Sequence, residues 1–248
     1  DYVLLVSGGG RKYLWKAKKS EKLHTHLGLI DGEDIVGARW GSCIRSHLGV
    51  RFYVLKPTLA DLLDCIKKPT QIIYPKDVGY MVLLSGIGPG SLVVEGGTGS
   101  GALTMFLANV VKPTGRVVSY EVREDFAKIA RRNLELVRLS RYVEIKLMDI
   151  TKGIEEKEVD AVFLDIPEPW KAVKHAYNAL KPSCFLFSFS PSLTQVQKTV
   201  LEMRKEGFVG VKTVEIMVRD MLVDEERLRP ATQSFFTGYI TYGRKAVK

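Results

Sequence analysis

Residues 95–101 read Glu-Gly-Gly-Thr-Gly-Ser-Gly, and this string constrains the fold more than any other in the chain. Four of the six residues from 96 to 101 are glycine, more than a tight structural turn requires. The string sits where an apolar run, Leu92–Glu95, gives way to a helical pattern from Gly101 to Val111. Glycine lets the backbone approach a ligand closely, and a helix start presents unpaired N–H groups. A strand that turns through glycines into a helix is the opening unit of a parallel α/β sheet. The rest of the chain continues the alternation. A helix near Asp77–Ser85 precedes it. Strands are expected at Arg116–Glu121, Tyr142–Leu147, Ala161–Asp165 and Cys184–Phe189, and helices at Glu124–Val137, Trp170–Leu180 and Thr194–Lys205. In the Glu124–Val137 helix, Phe126, Ile129, Ala130, Leu134 and Val137 share one face. Val211–Val218 and Phe235–Tyr242 read as a final pair of strands with no helix between them. The expected architecture is therefore a mostly parallel sheet with a hairpin-like edge.

The first 69 residues have a different texture. Tyr2–Ser7 and Lys12–Ala17 flank Gly8-Gly9-Gly10, a hairpin signal. Short runs at Ile35–Val36, Cys43–Ile44 and Phe52–Leu55 are punctuated by glycines, as in a small barrel or sandwich. Thr58 can cap a helix running to about Lys67, which Pro69 ends. Two domains follow from this reading, a small β-rich one at 1–69 and an α/β one at 70–248.

Charge points to a partner. The chain of 248 residues carries 37 Lys and Arg against 28 Asp and Glu, a net +9, which suits a polyanion such as nucleic acid. Residues 1–69 hold 12 basic and 7 acidic side chains, more than half of the excess. Lys16, Lys18 and Lys19 lie beside Tyr13 and Trp15, a mixture suited to phosphate contact and base stacking. The two aromatics could equally face a core. The three cysteines, at 43, 65 and 184, form no CxxC and fit buried free thiols in a reducing compartment. With 4 His in all, a metal site is not expected; His24 and His26, two apart on a presumed strand, read as polar surface residues. No apolar run approaches the ~18 residues of a membrane span, and no secretion signal is visible.

The glycine string alone admits two ligands. Gly97-x-Gly99-x-x-Ala102, with Glu121 downstream, also fits a dinucleotide fingerprint, so a nicotinamide-dependent oxidoreductase is the rival. S-adenosylmethionine has no phosphate and needs polar partners for ribose, adenine and its amino-acid end. Three acids at successive strand ends supply them: Glu121 for the ribose hydroxyls, Asp149 for the adenine amine, Asp165 facing the transfer site. All three fall at the carboxyl edge of the sheet, where ligands bind. Asp165-Ile166-Pro167-Glu168-Pro169-Trp170 extends this edge, in the Asp-then-Pro arrangement of enzymes that methylate base amino nitrogens. Trp170 reads as an anchor for the helix that follows it.

Gln71-Ile72-Ile73-Tyr74-Pro75-Lys76-Asp77, Glu95–Gly101 and Asp165–Trp170, in that order and spacing, resemble the tRNA (adenine-N1)-methyltransferases of the TrmI family. The small N-terminal domain, with Leu55-Lys56-Pro57-Thr58 before its helix, is similar too, so the resemblance spans almost the whole chain. It implies a class I methyltransferase fold, Rossmann-like with a seven-stranded sheet, and S-adenosylmethionine held by Gln71, Gly97, Thr98, Gly99, Ser100, Glu121, Phe126, Asp149 and Asp165. It implies catalysis by Asp165 with Tyr74 stacking on the target adenine. The substrate would be adenine 58 of the tRNA T-loop, with position 57 added in archaeal relatives. A cytoplasmic homotetramer would be the working unit. One departure is Phe235-Phe236-Thr237-Gly238, where many members have Gly-His-Thr-Gly. A non-catalytic RNA-binding subunit is the remaining rival, against which the intact glycine string and Asp165 stand.

Overall fold

The computed structural model describes residues 2–232 and 236–247. It consists of two compact units, Asp1–Ile66 and Lys67–Lys248.

In the first unit β1 (Tyr2–Ser7), β2 (Lys12–Lys16), β3 (Lys22–Thr25) and β4 (Gly28–Asp31) precede a single helical turn, α1 (Gly32–Ile35). Then come β5 (Cys43–Arg45), β6 (Arg51–Leu55) and α2 (Leu59–Leu62). An antiparallel sheet of order β2-β1-β6-β5 is accompanied by the β3–β4 hairpin. Strand β6 alternates strictly, with Phe52 and Val54 buried and Arg51 and Tyr53 exposed, so one face meets the core and the other water. Val3, Leu5, Ile30, Ile35, Phe52 and Val54 form that core. Tyr13 and Trp15 pack against it, and Tyr13 meets Phe52 edge-on at 5.8 Å. The aromatics of the basic hairpin thus serve the core.

The second unit contains α3 (Pro75–Ser85), β7 (Leu92–Gly96), α4 (Ala102–Val111), β8 (Arg116–Glu121), α5 (Glu124–Leu136), β9 (Val143–Leu147) and β10 (Val159–Leu164). It continues with α6 (Val173–Ala179), β11 (Leu180–Ser190), α7 (Leu193–Glu206), β12 (Phe208–Glu215), β13 (Met221–Val223), β14 (Leu228–Pro230) and β15 (Tyr239–Lys245). Seven strands form one sheet of order β12-β15-β11-β10-β7-β8-β9. Every adjacent pair from β11 to β9 is parallel, whereas β15 runs antiparallel to both β11 and β12. This is the expected class I methyltransferase architecture. Val93, Val94, Val117, Val118, Val162 and Phe163 are fully or almost fully buried in consecutive pairs, because helices cover both faces of the parallel strands. From β7 the chain moves outward through β8 and β9, then returns to the other side of β7 with β10 and β11. That reversal opens a crevice at the carboxyl ends of the central strands.

Several expectations are corrected. Ile35–Val36 is not a strand: Ile35 ends α1 and is buried there. Gly32 starts that turn because a Cβ would lie 2.1 Å from the Lys18 carbonyl oxygen. The helix after Thr58 has only residues Leu59–Leu62, although Thr58 and Asp61 form a full capping box. Its bonds then tighten to Asp64 N–H on Asp61 O and Cys65 N–H on Leu62 O, a 3₁₀-like ending. Trp170 lies in a 3₁₀ turn, Pro169–Lys171, ahead of α6, and Leu180 already belongs to β11. Lys198 of α7 sits over the Trp170 ring at 4.6 Å, so Trp170 anchors this region through α7. The last strands begin at Phe208, three residues before the expected start, and at Tyr239, four residues after it; Phe235 lies outside the described residues. His26 occupies the turn between β3 and β4. None of the three cysteines is in a disulfide, and none is fully buried as expected: Cys65 and Cys184 are half-buried, and Cys43 is exposed on the outward-facing alternation of β5. Among the described residues no helix is long and apolar enough to cross a membrane, and no His, Cys, Asp and Glu cluster could hold a metal ion.

Candidate active site

A cavity of about 470 Å³ opens at the carboxyl ends of β7, β8, β9 and β10. That volume is typical of small-molecule sites. Gly97, Thr98, Gly99 and Ser100 reach it from the end of β7, Glu121 from the end of β8, Asp149 from after β9 and Asp165 from after β10. Gln71 and Phe126 complete the expected set. The sheet thus brings together residues separated by up to 94 positions in sequence. Tyr74 is not among the lining residues. It is 41% exposed at the cap of α3, and its hydroxyl accepts a hydrogen bond from Gln71 Nε2 at 3.1 Å. Lys16, Lys18 and Lys19 belong to the first unit, where Lys18 is paired with Glu21 at 2.5 Å.

The glycine loop is tied down from two sides. Gly97 donates its N–H to Tyr120 O at 2.9 Å, and Asp165 donates its own to Gly96 O at 2.8 Å. Gly97 has φ +92, in the left-handed region, and a Cβ there would lie 2.1 Å from the Asp165 carbonyl oxygen. Only glycine fits both conditions. Glu121 is buried and held by three backbone donors. Its Oε2 accepts from Gly99 N–H at 2.9 Å, and its Oε1 accepts from Val122 and Arg123 N–H at 2.9 and 3.0 Å. Oε2 retains lone-pair capacity for a ligand hydroxyl.

Two supporting residues are not evident from the sequence. Asn133 of α5 donates to Ser100 O at 2.8 Å and to Lys67 O at 2.9 Å, and accepts from Lys67 N–H at 3.2 Å. Its spacing from Phe126 and Ala130 puts a polar side chain on the inward helix face, the one sequence signal that points to it. Glu95, at the head of the glycine string, is fully buried. Its Oε2 accepts from Thr104 and Ser119 hydroxyls, both at 2.6 Å, and Ser119 reaches Thr98 at 2.6 Å. Its Oε1 has no partner among the described residues.

Burial pushes the Glu95 carboxyl up to about 8, against the opposing effect of its two hydroxyl donors. Glu95 is therefore mostly protonated at neutral pH, and its proton is gained on folding. A raised carboxyl pKa means that stability falls as pH rises from about 4.5 to about 8. Glu95→Gln, which mimics the protonated form, is expected to flatten that fall by about 1.4 kcal/mol per pH unit. Urea unfolding at pH 5, 6, 7 and 8 checks this; parallel curves for the two proteins would contradict it.

The remaining acids differ in setting. Asp149 caps the 3₁₀ turn Ile150–Lys152, its Oδ1 accepting from Thr151 Oγ1 at 2.7 Å and Thr151 N–H at 2.9 Å. Those bonds, the hydroxyl first, hold its pKa below the usual range, so it is ionised. Asp165 is half-buried and accepts no hydrogen bond from any described residue, and desolvation pushes its carboxyl up to about 7. Opposite them, the Arg123 guanidinium lies 3.7 Å from the centre of the Phe126 ring and is paired with Asp125 at 2.7 Å. Among the described lining residues there is no Lys and no His. The site therefore presents carboxylates to its ligand and suits a group with hydroxyl, amine and positive charge, where a diphosphate would meet like charge.

Comparison with known proteins gives concordant results. Residues 51–239 match the family described as the tRNA methyltransferase complex GCD14 subunit. A relative from Methanocaldococcus jannaschii, tRNA (adenine(57)-N(1)/adenine(58)-N(1))-methyltransferase TrmI, is 39% identical over 98% of this chain and 94% of its own. The solved structure of tRNA (m1A58) methyltransferase TrmI from Aquifex aeolicus matches with TM-score 0.86 and 31% identity, over 100% of this chain and 98% of that one. A structure from Thermotoga maritima described as a SAM-dependent O-methyltransferase matches with TM-score 0.93 and 36% identity, over 100% and 94%.

Proposed function

The chain belongs to the TrmI family of tRNA (adenine-N1)-methyltransferases, and from that premise we propose that it moves a methyl group from S-adenosylmethionine to N1 of adenine 58 in the tRNA T-loop, with adenine 57 as a second target. The observation that carries this reading is the convergence of Glu121, Asp149 and Asp165 on one cavity whose glycine loop already gives its Gly99 N–H to Glu121. These groups fit S-adenosylmethionine. Glu121 would accept from the ribose hydroxyls, Asp149 from the adenine amine, and Gln71, the glycine loop and Phe126 would enclose the remainder. When bound, the cofactor supplies an electrophilic methyl on a sulfonium.

The chain's own residues then have two tasks. Neutral adenine already has a lone pair on N1, so no base is needed to create the nucleophile. As the N–C bond forms and the C–S bond breaks, positive charge appears on the purine ring. Asp165 would accept a hydrogen bond from the exocyclic amine and stabilise that charge. Tyr74, exposed beside Gln71, would stack on the extruded base. The first unit, with its excess of positive charge, would hold tRNA, Lys16, Lys18 and Lys19 contributing to its field. A homotetramer in the cytoplasm is the assembly we propose, and the exposed Met217, Met221, Val223 and Leu228 offer apolar surface for it.

Incubation of the full chain with a tRNA transcript and S-adenosylmethionine, followed by nuclease digestion and mass spectrometry, tests the reading. N1-methyladenosine in the T-loop fragment is expected. Methyl on a ribose oxygen, or no transfer, would overturn it. Glu121→Ala is expected to weaken S-adenosylmethionine binding by roughly 1.5–3 kcal/mol, the worth of hydrogen bonds to a charged group. Unchanged affinity in calorimetry would remove the ribose assignment.

A further inference from the structure

A second cavity, of about 320 Å³, lies within the first unit, lined by Ser7, Gly8, Gly9, Arg11, His26 and Arg51 among others. It is built where the turn between β1 and β2 meets the start of β6 and the turn between β3 and β4. Backbone bonds fix that turn: Gly10 N–H donates to Ser7 O at 2.8 Å, and Gly8 N–H donates to Arg51 O at 3.1 Å. Arg11 N–H adds a bond to Ser7 Oγ at 3.1 Å.

We propose that this cavity binds a backbone phosphate of the tRNA, with the Arg11 and Arg51 guanidinium groups as its ligands. The proposal rests on the reading of the chain as a tRNA methyltransferase. Three observations support it. First, Arg11 is oriented without being neutralised. Its Nη1 is hydrogen-bonded to His26 Nε2, and a guanidinium only donates, so that nitrogen must carry the lone pair. The other ring nitrogen, Nδ1, lies 3.0 Å from the Tyr13 hydroxyl. Tyr13 is itself fixed edge-on against Phe52 in the core. A chain of contacts anchored in the core thus orients the Arg11 guanidinium.

Second, Arg11, Arg51 and the neighbouring Arg45 have no acidic partners among the described residues, in contrast to three lysines of the same unit. Lys12 pairs with Asp61, Lys18 with Glu21 and Lys22 with Asp31, whereas Arg11, Arg45 and Arg51 pair with no carboxylate. Third, Arg45 stands directly across the β5–β6 ladder from Arg51. Like charges in that position destabilise a sheet unless something else balances them. A phosphate anion balances them, and the guanidinium fork matches its oxygens.

The test uses the full chain and filter binding of tRNA over a salt series. The double variant Arg11→Ala/Arg51→Ala removes two exposed side chains and leaves the core untouched. It should weaken tRNA binding roughly tenfold for each arginine–phosphate bond removed. The slope of log affinity against log salt should flatten by about 0.7–0.9 for each of them. Binding of S-adenosylmethionine should be unchanged. A control, Lys128→Ala/Lys205→Ala, removes the same net charge from ion-paired surface positions of the second unit and should leave the slope near wild type.

If the wild type binds tRNA and the arginine variant binds it with the same affinity and slope, the phosphate site is overturned while the enzymatic reading stands. Equal losses in the variant and the control overturn the site in favour of bulk charge. A wild type that fails to bind tRNA overturns the underlying reading. Inorganic phosphate distinguishes the ligand's source: stabilisation of the wild type by it, with an unaltered tRNA slope in the variant, assigns the cavity to a free anion and overturns the RNA contact.

Discussion

Asp165→Ala is expected to lower the methyl-transfer rate about a thousandfold while leaving the protein folded and able to bind S-adenosylmethionine. The size follows from electrostatics. A unit charge pair about 4 Å apart at an effective dielectric near 20 is worth roughly 4 kcal/mol, and an interaction felt only at the transition state enters the rate in full. The direction on stability is opposite. Burial raises the Asp165 pKa to about 7, so the fold prefers the protonated acid and loses stability as pH rises from about 3.8 to about 7. Alanine removes that loss, and the variant should melt no lower than wild type at pH 7.5. Single-turnover rates with saturating cofactor and a melting curve check both halves. Near-normal turnover removes the proposed role for Asp165. Collapse of stability together with activity would show that its contribution is structural.

Gly97→Ala carries the largest expected effect on the fold. The added methyl meets the carbonyl oxygen of Asp165 at 2.1 Å, and alanine resists a φ of +92. Backbone, not a flexible side chain, lies in its way, so the loop after β7 must part from the end of β10. A cost of roughly 4 kcal/mol or more is expected, with a fall in melting temperature on the order of 10 °C. Cofactor binding should go with it, since Gly99 and Glu121 are joined through the same loop. Gly88→Ala is the control: its Cβ meets nothing within 4 Å, and its backbone is not left-handed. A Gly97→Ala protein with the melting temperature and affinity of wild type would mean that the loop does not depend on this close approach.

What is legible in the sequence is whatever one segment encodes locally. The glycine string declares its strand-to-helix turn, and the β–α alternation then places Glu121, Asp149 and Asp165 at strand ends. Their convergence follows from the rule that parallel strands share a carboxyl edge. Residues whose meaning lies in a remote partner stay silent. Asn133 is one polar residue on a helix until Ser100 and Lys67 are seen against it. Glu95 ends a strand like any other acid until Thr104 and Ser119 close around it. Short apolar runs mislead for a related reason. Ile35–Val36 has strand-like composition, but the close passage of Gly32 beneath Lys18 and Glu21 winds that stretch into a turn. Strand β12 starts earlier than its apolar pattern suggests because its register on β15 shifts between Val209 and Lys212. The hairpin β13–β14 has no sequence signal of its own, since residues 221–230 contain no run long enough to announce it.

The position of β15 between β11 and β12 has a consequence for how this molecule is made. Strand β12 has no neighbour in the sheet except β15, and β15 follows the six other strands of that sheet in the chain. On the ribosome, the whole cavity wall from Thr70 to Glu168 emerges some 70 residues before the strand that closes the sheet. During that interval β11 presents an open edge, and β12 waits without a partner, a state prone to pairing with other chains. A ribosome that stalls short of Tyr239 would release a chain holding every residue proposed for chemistry and lacking the strand that makes their arrangement permanent. Competence thus depends on a strand that follows, in chain order, every residue proposed for chemistry.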